Sequence, residues 1–432
     1  MDGPMTLSAK ILAAHGVEDL TPGAFALARI DRVMLNDVSG AVSIREFEKM
    51  GAKGVFDPER VACVVDHFWP AKDARSAALV ARLRTFAERQ GITDYWEVGA
   101  TRDAGIEHAI LAERGRIMPG DLLVGADSHT CTSGAFGAFA TGMGSSDIAA
   151  AMALGEVWLK VPEVVEVEFT GSRGEHVTGK DLILAYIGQA GVDGANYAAL
   201  EFCGEAVDEL SLDGRLALCN MAVEAGAKTG MVAADETTLR WLAERVPEAD
   251  PVALAADPGA PYDRRTSIDL DGMRPMVAAP SSPGNVHSID ELAGTVKVDQ
   301  VYVGNCSNGT MTDLRQLAEV LRGNQVAPGV RLIVVPATQR IYREALQEGL
   351  IEVFLDAGAM MSAPTCGACF GGHTGILAAG EVAVTTTNRN FRGRMGDPES
   401  SVYLANAYVA GAAAVAGGLV DPADVLRPEP VR

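Results

Sequence analysis

The sequence has no apolar run approaching the roughly twenty residues that a membrane-spanning helix needs. Its first sixteen residues carry neither a basic segment nor an extended apolar one of the kind that forms a secretory signal. A cytoplasmic chain with no membrane partner is therefore expected. Positive charge is scarce: 36 Lys and Arg against 57 Asp and Glu leave a net charge of −21. Such a field repels nucleic-acid backbones and anionic lipid, so no nucleic-acid partner is expected either. An anionic substrate would need a local cluster of Arg or Lys. Seven cysteines in 432 residues are too few for a disulfide framework. Where cysteines do cluster in a reducing compartment, metal or redox chemistry is the stronger reading. Aromatic residues make up only 6% of the chain, which suits closely packed helices on sheets.

What is present supports a large core. The hydrophobic share is 48%, and 432 residues suffice for two to four domains at roughly 100–200 residues each. Val61-Ala62-Cys63-Val64-Val65 predicts a buried parallel strand, with polar Asp66-His67 at its carboxyl end. A helix is expected over 72–90, closed by Gly91. Leu122-Leu123-Val124 predicts another strand running into Asp127-Ser128-His129, with a helix over 146–159. The β-rich stretch from Val164 to Phe169 opens a second unit, with helices over 179–189 and 211–225. The Pro/Ser/Gly-rich stretch 278–284 is the best linker candidate. Beyond it come strands at 301–303, 331–335 and 381–385, and a terminal helix over 402–416. The alternation predicts α/β architecture with mainly parallel sheets, divided at 1–162, 163–284 and 285–432.

Three cysteines stand out. Cys366-Gly367-Ala368-Cys369 places two sulfurs on one turn, and Cys306, in Asn305-Cys306-Ser307-Asn308-Gly309, lies sixty positions upstream at the end of a strand. These residues suit structural zinc with His373 as fourth ligand, ordinary buried or thioredoxin-like thiols, or an iron–sulfur cluster with three protein ligands. Spacing leaves all three open. Histidine is sparse, yet three of the seven, in Asp66-His67, Glu107-His108 and Asp127-Ser128-His129, lie beside an acid or hydroxyl. A carboxylate beside an imidazole sets its tautomer and raises its pKa, as a general acid requires. Arg389, Arg392 and Arg394 form a local positive site suited to carboxylates. Asn220 and Glu224, at i and i+4, share a helical face.

In order and in spacing, these motifs, together with Gly125-Ala126-Asp127-Ser128-His129-Thr130 and Asn388-Arg389-Asn390-Phe391-Arg392-Gly393-Arg394, resemble the aconitase superfamily. The similar branch is that of stand-alone large subunits, of 3-isopropylmalate dehydratase and homoaconitase type, and the resemblance covers nearly the whole chain. It implies three α/β domains around a central [4Fe–4S] cluster held by Cys306, Cys366 and Cys369, with one open iron as Lewis acid. The implied reaction eliminates water from a hydroxy di- or tricarboxylic acid and adds it back the other way round. The substrate would be 3-isopropylmalate/2-isopropylmalate of leucine biosynthesis; the alternatives are a homoaconitate or a maleate, citraconate or dimethylmalate type. By the same resemblance, His67, polarised by Asp66, protonates the departing hydroxyl. His108 pairs with Asp127, His129 with Glu224, and Ser128 belongs to the same catalytic loop. Asn220 and Asn388 line the substrate, and Arg389 and Arg394 take its carboxylates.

The family's base is a serine on a swivelling domain, and nothing after Arg394 has the pattern of a further domain. A small-subunit partner supplying that base is therefore expected. Thr310 stands where the family usually has Arg, and Ala368 where near relatives have Pro. The cluster and zinc readings separate on anaerobic purification. The cluster predicts a brown protein whose broad visible absorption bleaches in air; a colourless protein with one tightly held zinc would support the other reading.

Overall fold

The structure, a computed structural model, describes residues 3–426. The chain divides into two compact units. One takes the chain up to Thr170 together with Asp193–Ile268; the other takes Gly171–Val192 together with the chain from Asp269.

In the first unit, five strands lie in the order Asp94–Glu97, Val61–Val65, Arg32–Asn36, Leu122–Gly125, Phe139–Gly142, each pair parallel. Val61–Val65 is buried at every position, the signature of a parallel strand covered on both faces. The chain order reverses between Arg32–Asn36 and Leu122–Gly125, where open α/β sheets bind ligands beyond the strands' carboxyl ends. The helix Ala74–Gln90 covers one face with Val80, Leu83, Phe86 and Ala87, a stripe at helical spacing. Asp73 caps it by accepting from Ser76 N at 2.7 Å. A second sheet of this unit pairs Val164–Thr170, Ala199–Cys203 and Thr229–Val232 in parallel, with Arg264–Asp269 at its edge.

In the second unit, seven strands lie in the order Val286–Ser288, Met276–Ala278, Ser401–Leu404, Val382–Thr385, Gln300–Gly304, Arg331–Val335, Met360–Met361. The last five are mutually parallel, and Met276–Ala278 joins them antiparallel. The stretch 278–284 connects two antiparallel strands of this sheet, Met276–Ala278 and Val286–Ser288. The core packs Val301, Val303, Leu314, Leu317, Val334, Phe354 and Val384. Helix Met311–Leu321 begins with a capping box in which Thr310 and Asp313 bond each other's backbone N–H.

Three expected helices are corrected. The helix at 146–159 is Ser145–Leu154. Gly155 ends it at a left-handed φ of 72°, and Glu156–Lys160 becomes a strand antiparallel to Phe25–Arg29. Val157 and Leu159 are buried while Trp158 is exposed, a period of two that the longer helical reading absorbed. The helix expected at 402–416 is Ala407–Ala416, capped by Asn406, and a short helix Pro422–Leu426 follows it; Ser401–Leu404 before it is a strand beside Val382–Thr385. The helix at 211–225 is α-helical only over Leu212–Asn220 and tightens to 3-10 over Met221–Ala225. Among the described residues, no helix is long and apolar enough to cross a membrane.

Gly304 shows how tightly the strand ends are built. Its φ is 132°, and a Cβ there would lie 1.9 Å from the carbonyl oxygen of Val335. Gly304→Ala must therefore strain the backbone and push the neighbouring strand. It should destabilise the chain by about 2 kcal/mol or more, read as a lowered denaturation midpoint. An unchanged midpoint would show that the turn relaxes freely.

Candidate active site

The histidines of the first unit sit where its parallel strands end. Asp37 follows Arg32–Asn36 and accepts the backbone N–H groups of His67 (2.9 Å) and Phe68 (2.7 Å), fixing the loop after Val61–Val65. In that loop His67 Nδ1 lies 2.7 Å from Asp66 Oδ1, while Asp66 Oδ2 accepts from Glu107 N at 2.8 Å. Asp127, beyond Leu122–Gly125, gathers two imidazoles. Its Oδ1 is 3.0 Å from His108 Nε2 and 3.5 Å from His129 Nδ1, and it also accepts from His129 N at 2.8 Å. His129 Nε2 is 2.9 Å from Glu224 Oε1. Asn220 donates to Thr132 Oγ1 at 2.8 Å, so Asn220 and Glu224 both reach the loop that follows Asp127. Ser128 opens that loop as its first 3-10 residue.

Burial makes these groups unlike their solution counterparts. Burial pulls the His67 pKa down, but the charge of Asp66 and the hydrogen bond made to it more than reverse this, holding the imidazolium well above the ordinary range. Burial likewise opposes ionisation of Asp127, yet its hydrogen bonds to His108 and His129 draw its pKa well below the usual carboxylate value. Glu107 goes the other way: burial and the neighbouring charges of Asp66 and Asp127 keep its carboxyl protonated well above the ordinary range. One nitrogen, His108 Nδ1, is buried without a protein partner.

In the second unit, Cys306 follows Gln300–Gly304, Cys366 and Cys369 follow Met360–Met361, and Asn388 follows Val382–Thr385. All four lie past the carboxyl ends of parallel strands. The three thiols are buried, and none is in a disulfide. Side-chain amides point N–H groups at two sulfurs: Asn388 Nδ2 is 3.5 Å from Cys306 Sγ, and Asn305 Nδ2 is 3.9 Å from Cys366 Sγ. Ser307 orients Asn388 by donating to its Oδ1 at 2.9 Å. Both ring nitrogens of His373 lie against hydroxyls, Nδ1 2.6 Å from Thr374 and Nε2 3.3 Å from Thr365. In the arginine loop, Arg392 is exposed and donates to the Pro398 carbonyl, while Arg394 Nε is buried without a protein partner. Arg389 is half-buried.

The family model of aconitase (aconitate hydratase) matches residues 9–295 and 291–417. The chain belongs to the aconitase family. It is 58% identical to the 3-isopropylmalate dehydratase large subunit 2 of Rubrobacter xylanophilus, over 99% of this chain and 100% of the relative. It is 52% identical to the 3-isopropylmalate dehydratase large subunit of Heliobacterium modesticaldum, over 98% of this chain and 99% of the relative. A solved structure, the holo-form of Thermococcus kodakaraensis aconitase X, is similar over 91% of this chain and 93% of its own, with a TM-score of 0.48 at 13% identity.

The donor set fits an aconitase-family cluster. Three buried thiols with amide N–H groups aimed at sulfur suit thiolate ligands, and His373 is turned toward hydroxyls, unlike a fourth zinc ligand. Thr310 is used up as a helix cap. Three residues escaped the sequence reading. Asp37 follows a short strand and has no motif around it. Glu107 stood out only as the neighbour of His108, which lies 3.0 Å from Asp127, the partner the resemblance implied. Lys180 is fully buried and donates to the carbonyls of Thr386 (3.0 Å) and Thr387 (2.7 Å), bracing the strand end before Asn388. Burial pulls its pKa down to about 8, against the opposing charges of Cys369 and Cys306; nothing in the local sequence marks it.

Asp66→Asn tests the electrostatic hold on His67. Because its folded pKa is raised, the stability that His67 contributes is fully present below its ordinary value of 6.5 and is lost as pH rises through the folded value. Removing the Asp66 charge should make the imidazole lose its proton at lower pH in a histidine 13Cε1 NMR titration. The loss of stability, which begins near 6.5 in both, should be complete at lower pH. An unshifted titration would show that Asp66 does not hold the proton.

Proposed function

We propose that this chain is the large subunit of an iron–sulfur hydro-lyase that interconverts 3-isopropylmalate and 2-isopropylmalate in leucine biosynthesis. The carrying observation is 50–58% identity, over 96% or more of this chain, to relatives named 3-isopropylmalate dehydratase large subunits. The placement of the candidate residues beyond parallel strand ends supports it. We further propose a cytoplasmic location, and division into three α/β domains at 1–162, 163–284 and 285–432, whose ranges hold most of the five-, four- and seven-stranded sheets respectively.

Cys306, Cys366 and Cys369 would hold a [4Fe–4S] cluster, with Asn388 and Asn305 donating to its ligands. When bound, that cluster supplies a Lewis acid for the substrate's hydroxyl and an adjoining carboxylate. The protein's own residues do the rest. His67 holds a proton at its imidazole, retained by Asp66, and delivers it to the departing hydroxyl. Asp127 keeps His108 and His129 oriented, and Glu224 sets the outer nitrogen of His129. Ser128 serves in that same loop. Arg389 and Arg394 bind carboxylates, and Asn220 and Asn388 line the substrate. The base that takes the carbon-bound proton comes from a small swivelling-domain subunit, in keeping with the term "large subunit" in the relatives' names.

Thr310 bears on the choice among substrates. With its hydroxyl engaged in a helix cap, it offers no cation for an additional carboxylate, which favours a dicarboxylate such as isopropylmalate, citraconate or dimethylmalate over homoaconitate. The test is co-expression with the small subunit, cluster reconstitution, and assay against a panel of malate and citrate analogues. Isopropylmalate should turn over fastest, and the large subunit alone should be inactive. Full turnover by the chain alone would overturn the two-subunit reading; preference for another acid would overturn the substrate.

A further inference from the structure

Glu107 is a buried acid for which the reaction above has no use. It is 1% exposed. Its backbone N–H is spent on Asp66 Oδ2, and its Oε1 accepts from Asn36 Nδ2 at 3.1 Å. Its other oxygen, Oε2, is buried with no hydrogen-bond partner. A carboxyl oxygen left that way costs about 1–3 kcal/mol, so the arrangement is uneconomical unless something else meets it. The carboxyl as a whole lies in a tight group: one ligand atom each of His67, Glu107 and Asp127 lie within 4.8 Å of one another. Glu107 therefore opens onto the same small space as the proton-holding imidazole of His67.

We propose that Glu107 is a further catalytic residue, a neutral carboxylic acid whose Oε2–H donates a hydrogen bond to an oxygen of the bound hydroxy acid beside His67. This rests on the hydro-lyase reading above. The chemistry follows from the bonding. An amide N–H already satisfies Oε1 as a carbonyl oxygen, which leaves Oε2 to carry the hydrogen. The groups facing it reinforce that state. Asp66 and Asp127 bring negative charge from the loops after Val61–Val65 and Leu122–Gly125; Asp37 accepts from the backbone N–H of Asp66; and the imidazoles nearby are His67 and, at 3.7 Å from Oε1, His108. Burial and these neighbouring carboxylates keep the proton on Glu107 well above the usual range. His67 remains the group that gives up its proton; Glu107 keeps its own and holds the oxygen in line. No atom is transferred by Glu107, so the donor is needed in both dehydration and rehydration.

Gln is the decisive replacement, since its amide reproduces one acceptor and one donor but cannot ionise. In the reconstituted two-subunit enzyme, Glu107→Gln should keep kcat/KM within about tenfold, whereas Glu107→Ala should lose about 100-fold, the usual cost of a missing donor at a reacting oxygen. The visible absorption of the cluster should be the same in both. The Gln variant should also stay active further into alkaline pH than wild type. Gln as damaging as Ala, or Ala as active as wild type, overturns the proposal.

A second measurement needs no turnover. Glu107 has a raised folded pKa, so its contribution to stability is fully present below its ordinary 4.5 and is lost as pH rises through the folded value. The melting temperature of full-length Glu107→Gln minus that of wild type should therefore grow with pH above 4.5 and level off above the folded value. A difference that stays flat with pH overturns the neutral acid. If wild-type enzyme converts none of the hydroxy acids, the functional reading fails while this series still decides the proton on Glu107.

Discussion

A parallel strand covered on both faces leaves little room along its length for polar side chains, and both units depend on that constraint. Val61–Val65 is buried throughout, and so is Gln300–Gly304. Polar chemistry is thereby driven to the strand ends, where the chain turns and side chains gather around a common space. Asp37, Asp66 with His67, and Asp127 with His129 occupy three such ends in the first unit. Cys306, Cys366 with Cys369, and Asn388 occupy three in the second. Loops this short hold their residues because backbone N–H groups are already spoken for, as where Asp37 accepts from His67 and Phe68.

Gathering ionisable groups in so small a volume sets the electrostatics. Asp37, Asp66, Glu107 and Asp127 face only three imidazoles, and charges of one sign cannot all persist in a poorly solvated space. The groups divide the work by environment. Asp127, between two imidazoles, is held ionised. Burial raises the pKa of Asp37, and burial with adjacent carboxylates raises that of Glu107. The Asp66 carboxylate keeps a proton on His67. One cluster thus maintains protonated and ionised members side by side, which elimination and addition of water both require. In the second unit the groups set against sulfur are the neutral amides of Asn305 and Asn388, with Lys180 buried nearby.

Much of this was legible in the chain itself. The buried strand at 61–65, the helix closing at Gly91 and the polar turn after Val124 were plain from periodicity and punctuation. Errors arose where a strong local pattern ran across a boundary. Glu156–Lys160 continues the apolar content of the preceding helix, and only its pairing with Phe25–Arg29 makes it a strand. Val402 to Leu404 precede an Ala-rich helix and look continuous with it, but a vacant edge beside Val382–Thr385 takes them into the sheet. The Asn220/Glu224 pair was found for an incomplete reason: the helix tightens between them, yet both still reach the loop after Asp127.

The sequence by itself determined the family, the alternation of strand and helix, the three thiols and the Asp–His motifs, because each rests on residues near one another in the chain or on motifs in a specific order. Only the tertiary structure decided that His373 turns to hydroxyls, that Thr310 caps a helix, and that Asp37, Glu107 and Lys180 lie beside the candidate residues. Those facts depend on burial and on neighbours far away in sequence, such as Thr386 and Thr387 for Lys180. A side chain's protonation and role are set by what surrounds it in space, which a linear pattern does not carry.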